Sequence, residues 1–289
     1  MIRLNPFVLF IYFVSAAGIS MFSMNPVIQI ISLTGALSFF FLRNIGKKTG
    51  MHISLFLIAL LVIVVNPLFQ HNGATVLFVL NSNPVTAEAC FYGLISALML
   101  LATLYWFRSF SELMTSDKIL YLFGRISPKL ALLLSMAMRY IPLFGAQLKK
   151  TAQTQRVMGN FKEDNALDRI KGYMRVFSVT VTWALETGIL TADSMEARGY
   201  GENKRSSFAI FRFYRKDAWF LIAICALFLI SVYGIAKEAI AFQYYPTIQV
   251  HEPTFLSNLV YGAYAVLAFL PTAVEAGEKI KWKYLQSKI

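Results

Sequence analysis

Six stretches of this 289-residue chain stay apolar over about the length a helix needs to cross a bilayer. A crossing takes about 20 residues, and each backbone polar group inside must be satisfied within the segment. That confines most of the chain to helices. The stretches are 6–24, 26–42, 52–65, 86–107, 218–234 and 254–273. Asn25-Pro26 parts the first two, because a residue before proline avoids helical angles; one long bent element is the alternative. The third stretch is short and ends at Asn66-Pro67, and Pro271 falls near the end of the sixth. Composition agrees: 57% of residues are hydrophobic and 15% charged, against about 25% charged in a soluble protein. The expected fold is all-α, a polytopic membrane protein of about six transmembrane helices, with five to seven as the range. Ser15-Ala16-Ala17 lies mid-span and makes a poor cleavage site, so the first span is expected to be a retained anchor.

The distribution of charge orients the spans. With the amino terminus inside, segments 1–5, 43–51, 108–217 and 274–289 hold 26 of the 27 Lys and Arg residues, and Lys237 alone falls outside. Lys and Arg accumulate on the cytoplasmic side. The short 43–51 loop and the tail carry this argument, since long loops obey the rule less strictly. The net charge of +12 therefore reads as membrane topology, and no nucleic-acid partner is expected. The chain divides into a membrane domain at 1–107, a cytoplasmic region at 108–217, and a membrane domain with a basic tail at 218–289. Both termini are expected in the cytoplasm of a multi-pass cell-membrane protein.

Segment 108–217 is too long and too apolar for an ordinary loop. Single charges (Arg125, Lys129, Arg139, Lys149, Lys150) interrupt runs such as 130–134 and 176–179. This pattern predicts long amphipathic helices at the membrane surface, packed on each other. Pro128 suits the first turn of one helix, and Pro142 is expected to kink it. Residues 160–165 form the expected turn. The next helix is expected from Asn165 or Ala166 to Arg198, ended by Gly199-Tyr200-Gly201. Two helix ends look alike, Gln155-Arg156-Val157-Met158-Gly159 and Met195-Glu196-Ala197-Arg198-Gly199.

Catalytic and cofactor signatures are missing from the sequence. It holds no P-loop, no GxGxxG and no HExxH motif. Cys90 and Cys225 lack CxxC partners, and His52, His71 and His251 fit no metal spacing. Among carboxylates near the membrane, Glu88 begins the fourth span, and Glu238 and Glu252 lie in the last outer loop. An intramembrane acid is a functional candidate by default; Glu88, close to the interface, reads better as a solvated side chain or as helix N-terminal stabilisation. A membrane enzyme would need clustered His or acids in 108–217, which has no His and keeps Glu163, Asp164 and Asp168 mainly in a turn. A self-sufficient secondary transporter, the main alternative, would need a polar mid-membrane site and often an inverted repeat, and neither is visible.

Several segments, in order, resemble the T component of energy-coupling factor transporters, the EcfT/CbiQ family. The resemblance covers about 66–217. It rests on Asn66-Pro67-Leu68-Phe69, Gly73 to Phe78, Thr86-Ala87-Glu88-Ala89, Tyr92-Gly93, Ser116-Asp117-Lys118, Pro128-Lys129-Leu130-Ala131-Leu132, Arg139-Tyr140-Ile141-Pro142, and Met195-Glu196-Ala197-Arg198-Gly199-Tyr200-Gly201. Ala74 stands where the family commonly has Glu. The resemblance implies a non-catalytic scaffold with two cytoplasmic coupling helices and no cofactor of its own. It implies two ABC-type ATPase partners, which hold the ATP and Mg, and a small membrane S component that captures a vitamin or metal ion. A component dedicated to cobalt or nickel uptake is a second transport reading. The ATPase-docking residues carried over are Glu196, Ala197, Arg198 and Gly199 at the second motif. At the degenerate first motif they are Gln155, Arg156, Val157, Met158 and Gly159. There Met158 takes the expected arginine position and Arg156 lies two residues earlier, on another face of the helix; either Arg156 reaches round to replace that arginine, or Met158 docks as an apolar plug.

Overall fold

The computed structural model describes residues 4–44, 49–70, 72–80, 83–159, 166–200, 211–249 and 254–287. The expected turn at 160–165, with Glu163 and Asp164, lies outside the described residues, as do Gly201, His71, His251 and Glu252. In chain order the elements are α1 (Pro6–Phe22), α2 (Pro26–Asn44), α3 (Thr49–Phe69), β1 (Val76–Leu80), β2 (Asn83–Thr86) and α4 (Ala87–Leu113). There follow α5 (Ser116–Ile126), α6 (Pro128–Val157), α7 (Ala166–Ala197), α8 (Arg215–Ala236) and α9 (Phe255–Gln286). They form two compact units, Met1–Thr115 with Arg212–Ile289, and Ser116–Phe211.

In the first unit α1 is packed by α2, α4, α8 and α9. Its Tyr12 and Phe13 each meet Trp106 of α4 edge-on with ring centroids 6.0 Å apart. Several polar groups in the middle of this core are paired, as the absence of water there favours. Trp106 Nε1 donates to Ser32 Oγ at 3.1 Å. Tyr12 Oη donates to the Leu267 carbonyl at 3.1 Å, and Tyr264 Oη to the Ala16 carbonyl at 3.2 Å. Glycine sets two close crossings: a Cβ on Gly35 would lie 2.9 Å from Ala268 Cβ, and one on Gly234 would lie 2.2 Å from Val260 Cγ2. Small residues serve this purpose between membrane helices generally.

Side chains fix the helix starts. Asn25 breaks α1 from α2, accepting from Val27 N at 2.9 Å while its amide reaches the Ile240 carbonyl at 3.0 Å. The two spans are therefore separate helices. At the other end of α1, the buried Asp217 accepts from Tyr214 N at 3.0 Å and from Asn5 N at 3.3 Å, joining the starts of α8 and α1.

Three local expectations change. The third span does not stop at Asn66-Pro67 but continues to Phe69, with Pro67 inside the helix. Gly93 of α4 gives room there: a Cβ on it would lie 3.1 Å from Asn66 Cβ and 3.5 Å from Pro67 Cδ. Asn66 Nδ2 also donates to Ser96 Oγ at 3.1 Å, holding the turn that proline weakens. The stretch after α3 is not only a loop, because β1 and β2 form an antiparallel hairpin with a register shift between Val76 and Phe78. Among the described residues, six helices are long and apolar enough to cross a membrane, but not the six anticipated. α6 qualifies, while α1, at 17 residues, is one of the shorter apolar helices. Charge placement explains α6, since Lys149, Lys150 and Arg156 fall in its last third. Together, the enclosed α1 and its qualifying neighbours give an all-α, multi-pass membrane protein.

Candidate docking site

The second unit carries two long helices that end in the same way. α6 has Pro128 in its first turn and runs through Pro142 for 30 residues. α7 runs for 32. Their contact is aromatic and polar. Tyr140 stacks on Phe144 at 5.5 Å and 11°, and Phe144 meets the edge of Trp183 at 6.0 Å. Tyr140 Oη and Thr191 Oγ1 share a hydrogen bond of 2.9 Å. On α7 the buried residues are Gly172, Val176 and Thr180, one stripe at four-residue spacing. Of these four residues only Tyr140 belongs to a motif evident in the sequence. The four-residue spacing of Tyr140 and Phe144 was the available signal; nothing local marks their partners on α7.

At the end of α7, Gly199 has φ +74°. Its N–H donates to the Glu196 carbonyl at 2.8 Å, and Tyr200 N–H reaches back to the Met195 carbonyl at 3.1 Å. These are the two bonds of a Schellman cap with glycine at C′. At the end of α6, Gly159 has φ +70°, and its N–H donates to the Arg156 carbonyl at 3.0 Å. That bond corresponds to the Gly199–Glu196 bond, so the two caps share a register. Met158 then answers Arg198, Val157 answers Ala197, Arg156 answers Glu196, and Gln155 answers Met195.

The two tips differ in chemistry while matching in backbone. Glu196, Ala197 and Arg198 are exposed at one, and Arg156, Val157 and Met158 at the other. Val157 is 90% exposed and Met158 66%. A helix carboxyl end carries partial negative charge that a cation stabilises. Arg198 meets that need at the cap of α7, whereas α6 has Arg156 in its last turn. A solvent-exposed Val and Met at a helix tip gain nothing from water, and they suit a partner surface.

The other residues singled out in the sequence lie elsewhere. Glu88 is buried in the first unit and accepts from Thr75 N at 3.2 Å and Thr75 Oγ1 at 2.9 Å. A Cβ on Gly73 would sit 2.6 Å from Glu88 Oε2, so the loop before β1 closes on this carboxylate. His52 bonds Tyr105 Oη through Nδ1 at 2.8 Å. Cys90 and Cys225 are free thiols. Among the described residues no three His, Cys, Asp or Glu side chains are grouped to hold a metal.

With two glycine-capped tips on record, comparison with known proteins places the chain. The profile of the family described as cobalt transport protein, CbiQ, matches residues 1–210. The chain belongs to the CbiQ family. It is similar to the energy-coupling factor transporter transmembrane protein EcfT 1 of Listeria monocytogenes serotype 1/2a (strain 08-5578), with 33% identity over 104 residues, 35% of this chain and 38% of the relative. It is also similar to the energy-coupling factor transporter transmembrane protein EcfT of Lacticaseibacillus paracasei (strain ATCC 334), with 33% identity over 91 residues, 31% of this chain and 34% of the relative. The chain thus spans little more than a third of the curated relatives it matches. The CbiQ match takes in both tips and reaches farther toward the amino terminus than the motif-bearing 66–217.

Proposed function

We propose that this chain is the transmembrane scaffold subunit of an energy-coupling factor importer. Two ABC-type ATPases dock on the tips of α6 and α7 and bind and hydrolyse ATP with Mg. The chain itself is non-catalytic and holds no cofactor. α6 and α7 are the coupling helices, and their exposed apolar faces carry a small membrane S component that captures the substrate. ATP-driven movement of the ATPases shifts the tips and, through the Tyr140–Phe144–Trp183 contact, both helices together.

The observation that carries this reading is the pair of caps in common register at the ends of two packed helices. Glycine lets a partner backbone come close, and the fork of Arg198 suits a carboxylate or carbonyls in a groove. The tips also differ by charge two residues before each cap (Arg156 against Glu196), and by Met158 against Arg198. This supports two unlike ATPase grooves: Met158 enters one as an apolar plug, and Arg198 enters the other as a cation. The family description favours cobalt as a second reading of the substrate, with the metal ion carried by the S component.

An affinity pull-down of the tagged chain in mild detergent tests the proposal. Two P-loop ATPases and a small membrane protein are expected in the eluate. Arg198→Glu is expected to release at least one ATPase and abolish uptake, while the protein still inserts. Uptake at the normal rate by that variant sinks the docking role of Arg198. Solute transport by the purified chain alone in vesicles would favour a secondary transporter instead.

A further inference from the structure

Among the described residues, the ends of α2 and α4 present guanidinium N–H groups without an acceptor. Arg43 lies in the last turn of α2, with Nε 4.0 Å from Glu112 Oε2 of α4. Its Nη1 is buried without a hydrogen-bond acceptor. Arg108 lies one turn before Glu112 on the same face of α4, and its Nε is also buried without an acceptor. Beside it, Ser109 is 2% exposed and its Oγ has no partner. Lys279 of α9 reaches this end of α2 and donates to the Leu42 carbonyl. Three cations thus gather at this end of the unit, where Glu112 of α4 and the buried Glu275, one turn before Lys279 on α9, are the nearby carboxylates.

A buried N–H left without an acceptor is costly, and more so when it belongs to a charged group. An acceptor that completes the set offsets this cost, and an anion does so most strongly. The guanidinium fork matches a phosphate, with charge-assisted bonds. Position selects the source of the phosphate. These are the ends of spanning helices, on the side where Lys and Arg collect and where the leaflet carries anionic lipid. We propose that the ends of α2 and α4 bind the phosphate of an anionic phospholipid, with Arg43 and Arg108 as donors and Ser109 as a third polar contact. The lipid bridges the two helices where the Arg43–Glu112 pair leaves the Arg43 Nη1 and Arg108 Nε donors over.

Dioleoylphosphatidylglycerol is titrated into the full chain in detergent, and the lipid-bound states are counted by native mass spectrometry. The wild type is expected to retain one molecule well above the level seen with dioleoylphosphatidylcholine. Arg43→Gln with Arg108→Gln is expected to weaken that retention by about ten- to a hundredfold, the effect of losing bonds to a charged group. Lys281→Gln with Lys283→Gln removes the same charge elsewhere and is expected to leave retention unchanged. An equal loss in that control overturns the site in favour of diffuse attraction. Equal retention of the two lipids overturns it as well. Millimolar inorganic phosphate is expected not to displace the lipid; full displacement would assign the site to a soluble anion. Melting temperature in phosphatidylcholine alone shows that the Gln variant folds, and Arg43→Lys with Arg108→Lys is expected to keep part of the retention.

Discussion

Gly199 and Gly159 are the residues at which backbone conformation and proposed function meet. Their φ angles are +74° and +70°, a region that costs a side-chain-bearing residue about 1–2 kcal/mol. No atom crowds Gly159, so conformation alone favours glycine there. Gly199→Ala is expected to raise the opening of the cap roughly fivefold, as about 1 kcal/mol dictates. Hydrogen exchange at the Tyr200 amide, which bonds the Met195 carbonyl, reads this directly; unchanged protection would show that the cap is held by something other than the glycine. The neighbouring position separates the two tips. If the grooves are unlike, Met158→Arg weakens binding of the first ATPase and leaves the second untouched, as paired pull-downs against each ATPase would show. A gain in binding of the first ATPase would mean that both grooves want arginine.

Among elements, the close helix crossings decide the packing of the first unit. Gly234→Leu forces side-chain atoms into Val260, whose Cγ2 already lies 2.2 Å from the position of a Cβ. Overpacking of this kind costs about 1–3 kcal/mol, and Val260→Ala in the same chain is expected to restore part of the lost melting temperature. No rescue would place the clash elsewhere. Such crossings could not be read in advance, because Gly35 and Ala268 are distant in the chain and meet only in the fold. Local signals fared differently. Asn25-Pro26 marked the break between α1 and α2, and Gly199 marked the end of α7. Proline misled at Pro67, where Gly93 and Ser96 of another helix support the continuing turn. The run Val76 to Leu80, followed by Asn-Ser-Asn between two expected spans, carried a hairpin signal. At the candidate site, the glycine tips were legible because a cap is a local event. The Phe144–Trp183 and Tyr140–Thr191 contacts were not, because they depend on how two helices cross.

For the whole molecule the open physical choice is which side of the membrane the α6 tip occupies. α6 has the length and hydropathy to cross, yet a crossing would carry Lys149, Lys150 and Arg156 outside, against the bias that gathers Lys and Arg inside. It would also put the α6 tip beyond reach of a cytoplasmic ATPase. Single cysteines at Gln153, Lys237 and Lys281, in a chain with Cys90 and Cys225 replaced by Ser, distinguish the cases. A membrane-impermeant maleimide applied to intact cells is expected to label only the cysteine at 237, and all three after the cells are opened. Labelling of Gln153→Cys from outside would make α6 a span and remove the docking proposal with it. Labelling of Lys281→Cys from outside would instead reverse α9 and with it the placement of Arg43 and Arg108 at the inner leaflet. The same experiment therefore tests the two proposals through different residues, and either can fail while the other stands.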